Sequence, residues 1–455
     1  MPTKAWLARF CGRTVAQPWF DPIAIRAVTR LYFPLSRGWA AACAADGDAA
    51  QFRELTSTDL SGFAIEHALA TVRRSAADYA ATWADWQRLF FAPRRPSPDR
   101  LVAVEDHRRR AALRFMLGRS AFLPWLPWLS PVRWSVNPPS VVEARHGSRL
   151  SSPEAAYPPP PGVDIEVSHA IAGAGRRTYW LRFSSPVLGD AAWAKVIEPE
   201  SIATPPTLLV LHGIGIELEM WPPVADPIED LVDRGVRIVR PIAPWHAQRT
   251  PRGFYGGEPI LARGPEGVLT FFEGAVSETA VLLAWLRGQG TERVAIGGVS
   301  LGALTAQMVA SAGRWWPTNL QPSALLLVTT TAAILDLIDG SLCRGAGFSP
   351  HLERSGWTGD ALRRWLLLLQ PDRPPLLTAD RIVIVLGEND DLMPYAGGRR
   401  LVERWRAPAD NVFVRRQGHF SVPLGLIVEP APIDRLFAMI RDDSAVADRA
   451  GQGGS

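Results

Sequence analysis

Arg293-Val294-Ala295-Ile296-Gly297-Gly298-Val299-Ser300-Leu301-Gly302-Ala303 joins an apolar run to a helical one through a glycine-framed serine. Val294 to Ile296 are apolar and mostly β-favouring, as a short buried strand requires. From Ser300 to Ala310 the apolar residues Leu301, Leu304, Met308 and Val309 recur at helical spacing. Between strand and helix stands Gly298-x-Ser300-x-Gly302. A serine at so sharp a strand-to-helix turn is held in a strained backbone conformation, with its hydroxyl raised above the sheet. Side chains two residues before and two after would meet across the turn, so glycine suits both places. The helix start behind Ser300 favours developing negative charge. Taken alone, the pattern also fits a purely structural glycine-rich turn. It gains weight only if an oxyanion loop precedes it and an acid and a histidine follow in order.

Moving outward, the surroundings alternate strand and helix. Thr178 to Phe183 and Ala192 to Ile197 read as strands. Thr207-Leu208-Leu209-Val210-Leu211 is a continuous apolar run, as a strand covered on both faces should be, and it ends in His212-Gly213-Ile214-Gly215. Asp226 to Arg234 is expected to be helical and Val236 to Val239 a strand, followed by Pro241-Ile242-Ala243-Pro244-Trp245-His246 and a glycine-rich loop. Glu266 to Arg287 is a helix. After the central serine come a strand at Ala324 to Val328, an insertion over 331–378 with helical pieces, and a strand at Arg381 to Leu386. A helix at Tyr395 to Trp405, a strand at Val412 to Val414 and a last helix near Ile433 to Ile440 complete the set. Such alternation over residues 178–441 implies an α/β fold, with a mostly parallel sheet covered by helices on both faces.

Residues 1–135 read as a helical region. Leu69, Val72, Ala76, Tyr79, Trp83, Trp86 and Phe90 fall at three- and four-residue steps between Glu66 and Phe91, and a second helix runs from Pro98 to about Leu117. Trp125, Trp128 and Trp134 then alternate with Pro124, Pro127 and Pro131, which no regular α-helix tolerates. This arm is expected to pack its rings across the body of the protein; it also suits peripheral contact with a lipid surface or a greasy channel. Residues 136–177, rich in Pro, Ser and Gly, are expected to form a linker or arm, and residues 442–455 a flexible tail.

Composition narrows the class. The 455 residues leave room for one large core plus an extra domain, and 47% apolar with 21% charged content marks a globular chain. The net charge is only +4, carried almost wholly by scattered arginines, since Lys4 and Lys195 are the two lysines. No clustered basic stripe invites nucleic acid. Cys11, Cys43 and Cys343 offer neither metal-ligand spacing nor an even disulfide set, which suits a reducing compartment. Met1 to Phe20 lacks the apolar core of a signal peptide, and no run of about 20 apolar residues predicts a membrane span. The expectation is a cytoplasmic, soluble protein of undetermined oligomeric state, without metal or cofactor.

The order of chemistry-bearing residues is the sharper signal. Leu386-Gly387-Glu388-Asn389-Asp390-Asp391-Leu392-Met393-Pro394 follows one buried strand, and Arg416-Gln417-Gly418-His419-Phe420 follows the next. Serine, acid and histidine thus occur in that order, each at the carboxyl end of a strand, where open α/β sheets place their sites. With His212-Gly213 after the third core strand, these motifs resemble the α/β-hydrolase superfamily of serine hydrolases over residues 178–441. The Pro241…His246…Arg249…Arg252…Gly256-Gly257 stretch more loosely resembles a little-described branch of α/β-hydrolase-domain proteins. The resemblance implies Ser300 as nucleophile, His419 as base and Asp390 as orienting acid, three residues after its glycine. Asp391 is the alternative acid, and Asp336 or Asp339 an outside one. The backbone N–H groups of Leu301 and Ile214 are expected to form an oxyanion hole. His212, Gly213, His246, Arg249 and Trp365 are expected near a pocket, His212 more as a loop residue than a catalytic one.

The resulting expectation is an acyl-ester hydrolase acting through an acyl-enzyme, on a small or lipid-like substrate. A roof over Ser300 is expected from the insertion 331–378 and the Trp125–Trp134 arm. Alternatives are a peptidase of the prolyl-oligopeptidase kind, a thioesterase or acyltransferase with the same triad, or a non-catalytic binding module on this fold.

Overall fold

The computed structural model describes residues 17–160, 162–215, 226–370 and 374–442. The expected tail beyond residue 442 and the start of the chain before residue 17 lie outside these. A ten-stranded sheet runs through the protein. Its strands are β1 (Glu166–Val167), β2 (Ile171–Gly173), β3 (Arg176–Ser184), β4 (Ala191–Pro199), β5 (Thr207–Leu211), β6 (Arg237–Pro241), β7 (Val294–Val299), β8 (Ala324–Val328), β9 (Ile382–Gly387) and β10 (Val412–Arg415). The order is β1-β3-β4-β6-β5-β7-β8-β9-β10, with β2 paired to β3. From β6 to β10 every neighbouring pair is parallel, whereas β1 to β4 form an antiparallel wing.

The apolar strand runs are explained by their two faces. Leu209, Leu211, Ile296, Leu325, Leu327, Ile384 and Leu386 face one layer, with the Pro265–Gly288 and Leu301–Ala312 helices. Leu208, Val210, Ala295, Leu326, Val328, Val383 and Val385 face the other, with the Ala431–Arg441 helix. Side chains alternate along a strand, so a strand enclosed on both sides must be apolar at every position. Pro265–Gly288 is also apolar and long enough to span a membrane, contrary to the sequence expectation, but most of it is buried in the core. Asp226 to Arg234 is helical only over one short 3₁₀ turn, Glu229–Val232. Asp226 Oδ1 accepts from Ile228 N and Glu229 N, and Gly235, at φ 90°, ends the segment before a second turn can form.

The N-terminal helices at Phe33–Ala45, Phe63–Phe90 and Pro98–Leu117 join the sheet domain through two separate cores. Trp86, Phe90 and Leu101 pack with Trp180 and Trp193 of the antiparallel wing. Phe33, Trp39, Phe52, Leu69 and Phe122 pack with Tyr255 and Leu261, from the loop after β6. An ion pair seals the second contact: Arg37 meets Glu258 at 3.2 Å, both fully enclosed.

The stretch expected as a linker is packed. Val142 and Tyr157 are buried, Trp316 Nε1 donates to Tyr157 O at 2.8 Å, and β1 and β2 join the sheet before residue 178. Prolines prevent long regular elements there, yet leave side chains free to fill gaps. The Trp-rich arm lies in a 3₁₀ segment, Gly118–Trp128, that accommodates Pro124 and Pro127. Past it, Trp134 stacks on His351 of the insertion with ring centroids 4.4 Å apart, while Trp128 is exposed.

Candidate active site

The loops after β5, β7, β9 and β10 converge where the strand order turns at β5, the chain running first to β6 on one side and then to β7 on the other. Ser300 closes β7 with φ 57° and ψ −120°. This left-handed region is costly for a residue with a side chain, and the surroundings over-determine it. Ser300 N donates to Val328 O at 2.9 Å, and Ser300 O accepts from Leu304 N at 3.1 Å, starting the helix. Both flanking glycines are obligatory. A Cβ at Gly298 would lie 2.2 Å from Gly302 O, and one at Gly302 would lie 2.1 Å from Leu211 O. The register that sets Leu211 opposite Gly298 thus brings the loop after β5 hard against the serine turn.

His419 Nε2 lies 2.8 Å from Ser300 Oγ, and His419 Nδ1 lies 2.9 Å from Asp390 Oδ2. All three residues are buried. Asp390 Oδ1 also accepts from Leu392 N at 2.9 Å and Met393 N at 2.8 Å, which fixes the carboxylate before it meets the imidazole. With Nδ1–H donating to Asp390, Nε2 is left to accept from the serine hydroxyl. Asp391 instead turns outward, 3.6 Å from Arg344. Asp336 pairs with Arg400 at the surface, and Asp339 offers its carbonyl to Arg344, so neither meets the imidazole in this arrangement.

The two histidines expected near a pocket sit behind the loop after β5. His212 Nδ1 donates to Gly213 O, and its Nε2 accepts from Ala243 N at 3.1 Å. His246 repeats the pattern: Nδ1 donates to Pro244 O and Nε2 accepts from Gly215 N at 3.1 Å. These rings, 4.9 Å apart, clamp residues 212–215 from behind. Burial, then the neighbouring His212, pushes the pKa of His246 down to about 3; burial chiefly lowers that of His212. Both therefore stay neutral acceptors. Gly257 allows the fit, because a Cβ there would lie 2.8 Å from both His246 Nε2 and Ile214 Cγ1. The Gly215 N–H is thus engaged by His246 Nε2.

Arg249 and Trp365 are corrections to the expected pocket set. Arg249 is buried against Glu278 and Asp190, at 2.6 and 2.8 Å, and donates to Ile242 O, so it braces the loop after β6. Trp365 lies fully enclosed in the main core, where its ring serves packing. The insertion does reach the site's edge through its Ser341–Ala346 helix, where Ser341 N faces Asp391 O at 3.4 Å. Sequence reasoning missed Asp21, whose carboxylate meets Phe420 N at 2.5 Å. It sits in the first turn of the Phe20–Ala27 helix, where an acid is ordinary, and nothing local marks a partner so far along the chain.

Sheet order, switch point and the succession of serine, acid and histidine loops give the chain the fold of the α/β-hydrolase superfamily. Within that superfamily, residues 228–353 match the model of the family described as Alpha/beta hydrolase domain containing 18, a span that includes Pro241 to Gly257 and Ser300. No curated protein matches the chain in sequence. Similar solved structures include acetyl xylan esterase 1 from Thermoanaerobacterium sp. JW/SL YS485, at 15% identity over 65% of this chain and 96% of that one, with TM-score 0.43. A cold-adapted esterase from an Arctic intertidal metagenomic library aligns at 14% identity over 58% and 95%, with TM-score 0.38. Oligopeptidase B from Leishmania major aligns at 16% identity over 60% of this chain and 37% of its own, with TM-score 0.43.

Proposed function

We propose that the protein is a serine hydrolase that cleaves carboxylic esters through an acyl-enzyme. The observation that carries this reading is the 2.8 Å contact between Ser300 Oγ and His419 Nε2, with Asp390 behind the imidazole. Ser300 Oγ attacks the acyl carbon while its proton passes to His419 Nε2. The C–O bond to the alcohol breaks, and the alkoxide takes that proton as it leaves. Water, deprotonated by the same nitrogen, then attacks the acyl-enzyme and restores the serine. Asp390 holds the working tautomer and stabilises the imidazolium. The N–H groups of Leu301 and Ile214 receive the oxyanion, each worth about 10²–10³ in rate. The neutral His212 and His246 hold the second donor's loop in place.

An apolar acyl group fits a buried serine beside an insertion rich in Leu, Trp and Phe. The test is a screen of the purified chain against p-nitrophenyl esters of graded acyl length beside peptide p-nitroanilides. Ester turnover that rises over several carbons supports the reading, at about 0.8 kcal/mol of binding for each buried CH₂. Cleavage of the anilides without the esters would replace it with a peptidase.

A further inference from the structure

The Phe20–Ala27 helix is the first helix among the described residues, yet it lies against the loop that carries His419. Asp21, itself buried, accepts from Phe420 N at 2.5 Å and Ser421 N at 3.4 Å on one carboxylate oxygen, and from Ser421 Oγ on the other. Ser421 Oγ in turn accepts from Gly418 N at 2.9 Å. Residues 418 and 421 are thereby closed around His419, and a carboxylate from some 400 positions away is the fastener. Gly418 is built to admit it: a Cβ there would lie 2.5 Å from Asp21 Cγ and 2.8 Å from its Cβ.

The same segment touches two other parts of the site. It runs on as a π-helical turn, Val28–Tyr32, a local form that often marks functional places. Thr29 packs on the insertion at Gly345, where a Cβ would lie 2.7 Å from its methyl group. Tyr32 OH donates to Gly215 O at 3.4 Å, on the loop after β5. Residues 20–32 therefore bridge the histidine loop, the insertion and the oxyanion side.

We propose that this segment is a strap and that Asp21 is a positioning residue for His419, holding Nε2 on the line to Ser300 Oγ. The proposal rests on the assignment of Ser300 as nucleophile. Without the carboxylate, the amides of Phe420 and Ser421 lose a buried acceptor and the loop must rearrange to find another. A displacement of about 1 Å at a catalytic group costs about 10² in rate.

The experiment uses the full chain and an alkyl fluorophosphonate, reading kinact and KI for Ser300 together with the thermal midpoint. Asp21→Ala is expected to lower kinact by about 10²-fold, with KI changed less than about threefold. Asp21→Asn, which keeps the size and one acceptor oxygen, is expected to lose about tenfold. Ser421→Ala is expected to lose a similar amount, and the Asp21→Ala/Ser421→Ala pair no more than Asp21→Ala alone, because both act through one network. A lowered midpoint with wild-type kinact would reduce Asp21 to a docking contact and overturn the proposal. If Asp21→Ala does not fold, wild-type kinact in both Asp21→Asn and Ser421→Ala overturns it. Failure of the underlying assignment looks different: wild-type protein goes unlabelled, or Ser300→Ala labels equally well.

Discussion

Asp390 holds His419 at 2.9 Å, while its neighbour Asp391 turns its carboxylate to the surface, 3.6 Å from Arg344. One peptide unit separates a buried partner of the imidazole from an exposed charge. Asp390→Asn should lower kcat by about 10⁴-fold, since the amide favours the wrong imidazole tautomer. Asp391→Asn should stay within about threefold of wild type, as exposed pairs contribute little. Steady-state kinetics on one ester checks both, and a larger loss at Asp391 would reverse the assignment.

The elbow glycines give a steric expectation. Gly302→Ala drives a Cβ into a backbone carbonyl that the sheet holds fixed, so it should cost more than the 1–3 kcal/mol typical of an overpacked core, or prevent folding (about that range for side-chain crowding). Gly288→Ala, at the end of the Pro265–Gly288 helix with nothing within 4 Å of the added Cβ, should stabilise by about 0.5–1 kcal/mol. Urea unfolding of the two variants beside wild type is the check.

His246 should make stability fall in mild acid. The folded ring resists protonation down to about pH 3, whereas in the unfolded chain it protonates near its ordinary value of about 6.5. Below about 6.5 the unfolded state therefore binds more protons, and stability declines as pH falls toward 3. The loss approaches about 1.4 kcal/mol per pH unit for one such group. His212, lowered in the same direction, adds to it. Urea midpoints at descending pH should drop, and His246→Gln should flatten the slope even if it lowers overall stability. A slope identical in the variant would count against the assignment.

The Arg37–Glu258 pair should matter more than any surface pair. Glu258 also accepts from Arg133 N and Tyr255 N, so Arg37→Met would strand a buried carboxylate among groups that cannot move away. A loss of about 3–5 kcal/mol is expected. Arg88→Met, breaking an exposed pair with Asp85, should change stability by less than about 1 kcal/mol. Calorimetry on the two variants measures the contrast.

Much of the sheet was legible because its physics is local. Leu208–Leu211 and Ala324–Val328 are unbroken apolar runs, as burial on both faces of a strand requires. Ser300, Asp390 and His419 stood out because strand ends and glycines frame them. What escaped depends on contacts across the chain. Asp21 reads as an ordinary first-turn acid until Gly418 is brought beside it. His246 looks like a loop residue facing a pocket until Gly215 N claims its ring nitrogen. Trp365 suits a pocket wall by composition, and only the packing of the insertion shows it enclosed.

Intact-protein mass spectrometry after fluorophosphonate treatment is the decisive test of Ser300 as the activated nucleophile. Wild-type protein should gain one phosphonyl adduct, mapped to Ser300, and Ser300→Ala should gain none and lose ester turnover. Equal labelling or undiminished turnover in Ser300→Ala would show that Ser300 is not the nucleophile.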